Sequence, residues 1–406
     1  MARQFKSTNK KRKLGKLHII LLLLMALVAI GFMVMIIVVD AFPVSMTFAF
    51  LGVMFAVMVL TFVLFKRQRK WLRIIGILLA VIYIAIYGLG IYYLASTYAM
   101  FSRISADETS ASVTSQSVDV TTNPFNVYIT GIDQWNSEKG YDLERSDVNM
   151  IMTVNPQTRK ILLTSIPRDT YVPLHRNGAM DKLTHTGIYG VDETLNTVSD
   201  WLGLDLNYYV KVNFTATAKV IYAIGGVDVE SPKAFKSSIS KYEYEKGMNH
   251  LDGREALFFA RERKAFKGED ALRVENQQKV VKAMLDKVFS SSTLLTKYGD
   301  LLKIAADDLE TNMSTDEMQA LVKMQLADLS PWEINTQKIT GEYDMDHVAS
   351  LTQEQTFIVY KADPKSVEEV MSAIDKTMNP TTTEIAEATA KRQKNSITSF
   401  IKGLKK

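Results

Sequence analysis

The chain has no cysteine among its 406 residues. That absence excludes disulfides and thiol catalysis and leaves apolar burial to hold any folded domain together. No GxxxxGKS or GxxxxGKT loop, kinase signature, HExxH or GxSxG occurs either, so nucleotide hydrolysis and zinc- or serine-hydrolase chemistry have no support in the sequence. Charge is the third scarcity. Between residues 17 and 65 the only charged side chain is Asp40.

What fills the N-terminal hundred residues is apolar. Three runs, roughly 17–39, 41–65 and 74–99, reach or approach the ~20 residues a helix needs to cross a hydrocarbon core. Arg12, Lys13 and Lys16 precede the first run, and Lys66, Arg67, Arg69, Lys70 and Arg73 separate the second from the third. By the positive-inside rule these blocks are cytoplasmic, Asp40 and Pro43 form a tight outer hairpin, and three crossings leave everything after about residue 100 outside the cell membrane. The two further apolar runs argue against a cleaved signal peptide. Residues 1–100 carry a net +11 against +4 for the whole chain, so the remainder is close to −7. An acidic exported domain is a poor phosphate-backbone binder, and no nucleic-acid partner is expected. The basic N-terminus reads as a topology signal and a contact for membrane lipids.

Residues 101–122 are rich in Ser, Thr and Val without an apolar period and read as a linker. Beyond it, FNVYIT (125–130), VNMIMTV (148–154) and KILLTSI (160–166) have the apolar, β-branched character of short buried strands. Helical patterns follow at roughly 190–202, 215–224, 251–260, 274–289 and 316–328, with strands at 207–212 and 356–360. Such alternation favours an α/β domain with a covered central sheet, here over 123–378. The segment 379–406 turns to Thr, Lys and Gln and reads as a loosely packed tail.

In α/β folds the polar residues after strand ends gather in a crevice. Asp133 follows the first strand, and Arg145 and Asp147 precede the second. Two carboxylates at adjacent strand ends could hold a hard cation such as Mg²⁺; alternatively, Asp133 caps a turn and Asp147 pairs with Arg145. Arg168 and Asp169 lie directly beyond the third strand, either as a donor fork for phosphate oxygens steadied by its carboxylate or as an internal pair. Lys182 could neutralise a phosphate, and His185 is either structural or a proton carrier. Arg261 and Arg263 follow an apolar helix end, while Arg273 and Gln277 sit one turn apart on the next helix. Several donors of this kind meeting at one place match the oxygens of a pyrophosphate.

In the order and spacing of YITGID, RSDVNMIMTVNP, SIPRDTYVPL, DKLTHTGIYGVDETL, NYYVKVNF, IGGVDVE and LDGREALFFARERKAFKGEDALRVENQQKVV, the chain resembles the LytR-CpsA-Psr family, particularly its capsule-locus members, over about residues 123–378. The resemblance implies an α/β domain with a central mixed sheet flanked by helices, preceded by three transmembrane helices. It also implies a phosphotransferase outside a Gram-positive membrane, moving a capsular or related glycopolymer from a polyprenyl-pyrophosphate carrier to a peptidoglycan hydroxyl. Carried residue by residue, Asp133 and Asp147 match the acidic pair near Mg²⁺, with Mn²⁺ as a substitute. Arg145, Arg168, Lys182, Arg261, Arg263, Arg273 and Gln277 match the pyrophosphate-binding set. Arg145, Asp147, Arg168 and Arg263 of these, together with Asp169, are the residues expected to act on the reacting phosphate. Expected partners are the lipid-linked glycan, peptidoglycan, membrane lipids and capsule-assembly proteins. Two other readings stay open: a hydrolase of the same pyrophosphate, and a non-enzymatic membrane regulator of capsule synthesis. The chain departs from some capsule-locus relatives in having only about 22 residues between the last apolar run and the domain, where those relatives carry an extra module.

Overall fold

A computed structural model describes residues 14–40, 42–104, 118–132, 146–262, 269–351 and 354–404. It contains two compact units, Met1–Ala99 and Met100–Lys406.

The first unit is three helices, α1 (Lys16–Val39), α2 (Val44–Lys66) and α3 (Lys70–Ile104), each long and apolar enough to cross a membrane. Asp40 ends α1 in a left-handed conformation with φ 40°, its N–H bonded to Ile36 O, and Pro43 starts α2 with φ −58°. Proline suits that position because its ring fixes φ and the first helical turn asks for no N–H there. Met25, Met54, Phe65, Ala80 and Tyr83 pack at the centre of the unit. Its outer surface bears Leu23, Ile37 and Phe55, each about two-thirds exposed. A continuous apolar surface of that kind is stable against hydrocarbon rather than water.

The second unit runs β1 (Phe125–Ile132), β2 (Ser146–Asn155), β3 (Lys160–Ile166), β4 (Tyr171–Pro173), β5 (Met180–Lys182), α4 (Leu183–Thr186), α5 (Val191–Leu202), β6 (Tyr208–Asn213), α6 (Phe214–Ala223), β7 (Val227–Ser231), β8 (Phe235–Lys236), β9 (Glu243–Tyr244), β10 (Gly247–Leu251), α7 (Gly253–Arg261), α8 (Glu269–Val288), α9 (Ser291–Asp308), β11 (Leu309–Thr311), α10 (Thr315–Ala327), β12 (Glu333–Lys338), β13 (Gly341–Asp346), β14 (Phe357–Ala362), α11 (Pro364–Met378) and α12 (Thr382–Leu404). Six strands form one sheet in the order β11-β6-β1-β2-β3-β12. The β1–β6 and β3–β12 pairs are parallel and the others antiparallel, so the sheet is mixed, as the family resemblance implies.

Alternation along the strands supplies two apolar faces. Phe125, Val127, Ile161 and Leu163 lie under α8 and α10 together with Val281, Leu285, Met318 and Leu321. Tyr128, Ile151, Leu162 and Ile166 face the other way, under Leu195, Val198 and Leu202 of α5 and Val370 and Ile374 of α11. A one-residue slip would exchange the two sets, and burying each such side chain is worth roughly 1.5–3 kcal/mol, so the register is strongly specified. A third cluster, with Ile221, Val227, Phe259 and Val280, fills the space between α6, α7, α8 and β7.

The turn from β2 to β3 puts Arg159 in the left-handed region at φ 56°, which costs a non-glycine residue about 1–2 kcal/mol. Its buried guanidinium offsets that cost by bonding Gln325 and Asp328 O, pairing with Asp328 at 3.4 Å and lying 4.9 Å over Trp332. Arg392 of α12 joins the same place through Gln157 O at 3.0 Å. The segment whose composition reads as a loose tail is therefore a helix with its first turns docked on the domain. Its Thr381 and Glu384 close the helix start with reciprocal bonds.

Helix α7 shows how one small residue places a functional one. Asp252 accepts from the N–H groups of Arg254 and Glu255 while Glu255 accepts from Asp252 N, a complete capping box. A Cβ on Gly253 would stand 2.1 Å from Ala218 O of α6, so glycine alone permits the approach of α7 to α6. We expect Gly253→Ala to destabilise the domain by about 1–3 kcal/mol and to move Arg261 with its helix. The thermal transition of the full chain in detergent checks this; an unchanged transition would show that the helices adjust freely.

Candidate functional site

Strand pairing collects the site before any side chain is considered. Asn149 pairs with Ile166, Val148 with Gly131, and Asn213 with Ile132. The C-terminal ends of β1, β3 and β6 and the start of β2 therefore share one edge of the sheet.

At that edge Arg168 Nη1 donates to Asp147 Oδ1 at 2.5 Å, and its Nε lies 3.5 Å from Asp169 Oδ2. Lys182 Nζ lies 3.6 Å from Asp169 Oδ1. All four groups are half-buried, so they form one partly dehydrated chain of alternating charge. Asp147 thus pairs with an arginine 21 residues later, and the Arg168–Asp169 contact is the internal ion pair of the second reading.

Beneath the chain lies a layer of buried polar groups that sequence reasoning missed. Tyr128 OH donates to Asn149 Oδ1 at 2.5 Å, Ser146 Oγ also bonds Asn149, and Thr130 and Ser146 hydroxyls meet at 2.7 Å. Burial raises the Tyr128 phenol well above its usual range, so it remains a neutral donor. The signal was present in the alternation, since Asn126, Tyr128 and Thr130 share one side of β1, but their partners are set only by pairing.

The helices supply a second group of polar residues. Gln278 reaches Leu163 O and Gln337 O, and Val281 and Leu285 pack farther back toward the starts of β1 and β3. The N-terminal end of α8 therefore points toward the edge where β1 and β3 finish, and it carries buried Arg273 and Gln277. Arg261, at the end of α7, stacks 5.4 Å over Phe214, the residue that follows β6 at the same edge. Arg261, Arg273 and Gln277 thus approach from α7 and α8, on one side of the edge, and the Asp147–Lys182 chain occupies the strand ends. Asp133, Arg145 and Arg263 lie outside the described residues.

His185 has a different place from a proton carrier. Its Nδ1 is 2.7 Å from Asp181 Oδ1 and 2.8 Å from Ser350 Oγ, and Ser350 N donates to Asp181 Oδ2 at 2.8 Å. Asp181 and His185 are buried and Ser350 is half-buried, and neither Asp181 nor Ser350 stood out in the sequence.

Among the described residues no three His, Asp or Glu side chains gather as a ready metal cage. Mg²⁺ does not require one, since it keeps several waters and binds through one or two carboxylates plus phosphate oxygens. Asp147 meets Arg168 through Oδ1 and has Oδ2 to offer, so the donor chemistry fits such an ion.

The model of the LytR_cpsA_psr family matches residues 91–376. The chain is 30% identical over 327 residues to a polyisoprenyl-teichoic acid–peptidoglycan teichoic acid transferase, TagU, of Bacillus licheniformis, covering 77% of this chain and 99% of that protein. It is 34% identical over 260 residues to TagU of Bacillus subtilis, covering 62% of this chain and 82% of that one. In structure it resembles B. subtilis TagV with a TM-score of 0.53 at 30% identity, over 64% of this chain and 99% of that one.

Asp181 gives the site region a pH signature. Burial alone would raise its pKa, but bonds from His185, Ser350 and Lys182 N–H outweigh burial and hold it below the ordinary 3.8. A folded-state pKa below the unfolded one stabilises the protein above about pH 4 and ceases to do so as pH falls through the folded value. We expect Asp181→Asn to lower stability at pH 7 by about 1–3 kcal/mol and to flatten the stability profile below pH 4. Urea titrations of both proteins from pH 2.5 to 7 check this; parallel profiles would refute it.

Proposed function

The chain belongs to the LytR-CpsA-Psr family, and on that premise we propose that it is a membrane-anchored phosphotransferase that moves a glycopolymer from a polyprenyl-pyrophosphate carrier to a peptidoglycan hydroxyl. The observation that carries the reading is the half-buried chain Asp147–Arg168–Asp169–Lys182 at the edge where three strands end, with Arg261, Arg273 and Gln277 approaching from α7 and α8. The TagU relatives, whose names describe transfer of teichoic acid to peptidoglycan, support the reaction class. The finer reading is a capsular or related polymer, with capsule-assembly proteins and membrane lipids as neighbours. The basic blocks flanking the three apolar helices support an N-terminus inside and the second unit outside.

In the proposed reaction an acceptor hydroxyl oxygen attacks the phosphorus that bears the glycan. The bond from that phosphorus to the bridging oxygen breaks, polyprenyl phosphate leaves, and a phosphodiester joins polymer to acceptor. The hydroxyl proton passes to a carboxylate. Asp169 faces cations through both oxygens, which makes it the orienting group for Arg168 and Lys182, and leaves Asp147 to accept the proton or hold a cation. Asp147 and Asp133 are the residues that would hold Mg²⁺, whose chemistry when bound would be neutralisation of charge on phosphate oxygens. Arg168 offers a fixed donor fork to charge that moves onto the leaving phosphate, a role the family resemblance extends to Arg145 and Arg263, and preorganised donors commonly contribute 10²–10³-fold each. Tethering in the bilayer keeps the protein at high effective concentration with a donor that never leaves that plane.

The test is transfer of a labelled polyprenyl-pyrophosphate glycan to peptidoglycan oligomers by the purified full chain. We expect a covalent product that disappears with chelator and falls about 100-fold with Arg168→Lys, which keeps the charge but loses the fork, and comparably with Arg263→Ala. Free glycan phosphate without a joined product would replace transfer by hydrolysis. Tight donor binding without turnover would replace both by a regulatory role.

A further inference from the structure

We propose that His185 is a positioning residue: with Asp181 and Ser350 it forms a buried latch that holds Lys182 against Asp169. This rests on the phosphotransferase reading for its kinetic consequence, but its geometry stands apart from it.

The segment from Asp181 to His185 is built so that every residue has a separate job. Lys182 pairs with Tyr171 across β4–β5, and Asp181 pairs with Val172. Strand alternation then sends Asp181 inward, where it is fully buried, while Lys182 turns to the other side and reaches Asp169. Leu183 N donates to Thr170 O and Thr184 N to Arg168 O, each at 2.8 Å, so the same turn grips the backbone of the residues that flank Asp169. His185 closes the turn onto Asp181 at four residues' separation.

The ring is not placed for proton transfer. Asp181 Oδ1 is an acceptor within 2.7 Å of Nδ1, so Nδ1 carries the proton and shares it with Ser350 Oγ on the same nitrogen. A hydrolytic Ser-His-Asp arrangement needs serine and carboxylate on opposite ring nitrogens. Here both crowd one nitrogen, which is the geometry of a clasp. Asp181 is filled by this clasp: Oδ1 also accepts from Lys182 N at 2.7 Å, and Oδ2 accepts from Ser350 N. Ser350 belongs to the connection between β13 and β14, and Ala349 N bonds Met180 O beside it. The latch thus joins two stretches distant in sequence, 180–185 and 349–350. Tyr360 N bonds Asp169 O from β14, so the β13–β14 hairpin braces both ends of the Lys182–Asp169 contact.

The consequence is specific to one side chain. A lysine stem has four rotatable bonds and loses its geometry once its backbone is released, so loosening the latch should act on transfer through Lys182, separately from what it costs the fold in stability. Misplacement of a catalytic cation by about 1 Å can cost on the order of 100-fold.

The experiment uses the full chain in detergent, with His185→Ala, His185→Asn, Ser350→Ala, Lys182→Ala and the His185→Ala/Lys182→Ala double variant. Two quantities are read: the rate of acylation of Lys182 by an amine reagent, followed by mass spectrometry, and kcat and KM for transfer. We expect Lys182 to label several-fold faster in His185→Ala and Ser350→Ala. Transfer should fall at least tenfold in His185→Ala, and the double variant should be no worse than Lys182→Ala, because residues acting through one another do not add. His185→Asn, which keeps a donor near the Nδ1 position, should recover most of both. Unchanged Lys182 labelling, or losses that add in the double variant, would overturn the latch. If wild type transfers nothing, the phosphotransferase reading fails while labelling still decides the latch. If His185→Ala does not fold, Ser350→Ala decides it by the same criteria.

Discussion

One guanidinium organises the edge of this sheet. Arg168 stands between Asp147, at the start of β2, and Asp169, one residue further along its own chain. That position exists only because β2 and β3 pair antiparallel in a register that sets Asn149 opposite Ile166. A slip of one residue would carry Asp147 to the other face and leave Arg168 with one carboxylate. The apolar alternation of Ile151, Leu162 and Leu163 therefore fixes the chemistry as well as the core. Stability and site geometry are the same constraint seen at different points along the strands.

Without disulfides the domain has to obtain rigidity at this edge from hydrogen bonds. The layer of Tyr128, Asn149, Ser146 and Thr130 lies at the same ends of β1 and β2 as Asp147, and its members bond one another. Buried polar groups of this kind are costly when unmatched and stiffening when matched, because the low local dielectric strengthens each bond. The same logic recurs at Asp181, His185 and Ser350. In both places the polar groups that would face the substrate rest on polar groups that do not.

How much of this was legible follows from the range of each interaction. The runs at 125–130, 148–154 and 160–166 announce strands because central strands are apolar on both faces, and the polar residues just beyond them, Asp147, Arg168 and Asp169, were accordingly marked. The α7–α8 group was legible as well, since Arg273 and Gln277 recur at one helical turn. What escaped was whatever depended on a partner far along the chain. The pairing of Asp147 with Arg168, 21 residues away, is one such contact. Ser350 lies 165 residues beyond His185, and nothing local distinguishes it from any loop serine. Helices α9 and α11 and the docked start of α12 were missed as well: Val367, Val370, Met371 and Ile374 of α11 do recur at helical spacing, whereas α12 is placed by Arg392 bonding Gln157 O across 235 residues.

The electrostatics of the site follow from its being cationic within an acidic body. A bare cluster of arginines and lysines in a partly buried crevice would repel itself, yet the described cations at the strand ends are each held by a carboxylate: Arg168 by Asp147 and Asp169, Lys182 by Asp169. That strand-end cluster is thereby close to neutral in itself, and its donors are already oriented. An arriving diphosphate competes with those carboxylates for the same N–H groups, so what it gains is the difference between two sets of charge-assisted bonds, not their full strength. Tight ground-state binding is blunted by that competition. Charge that appears only as the bridging bond breaks meets donors already oriented toward it, and this is the kind of interaction that accelerates a reaction rather than merely retaining its substrate.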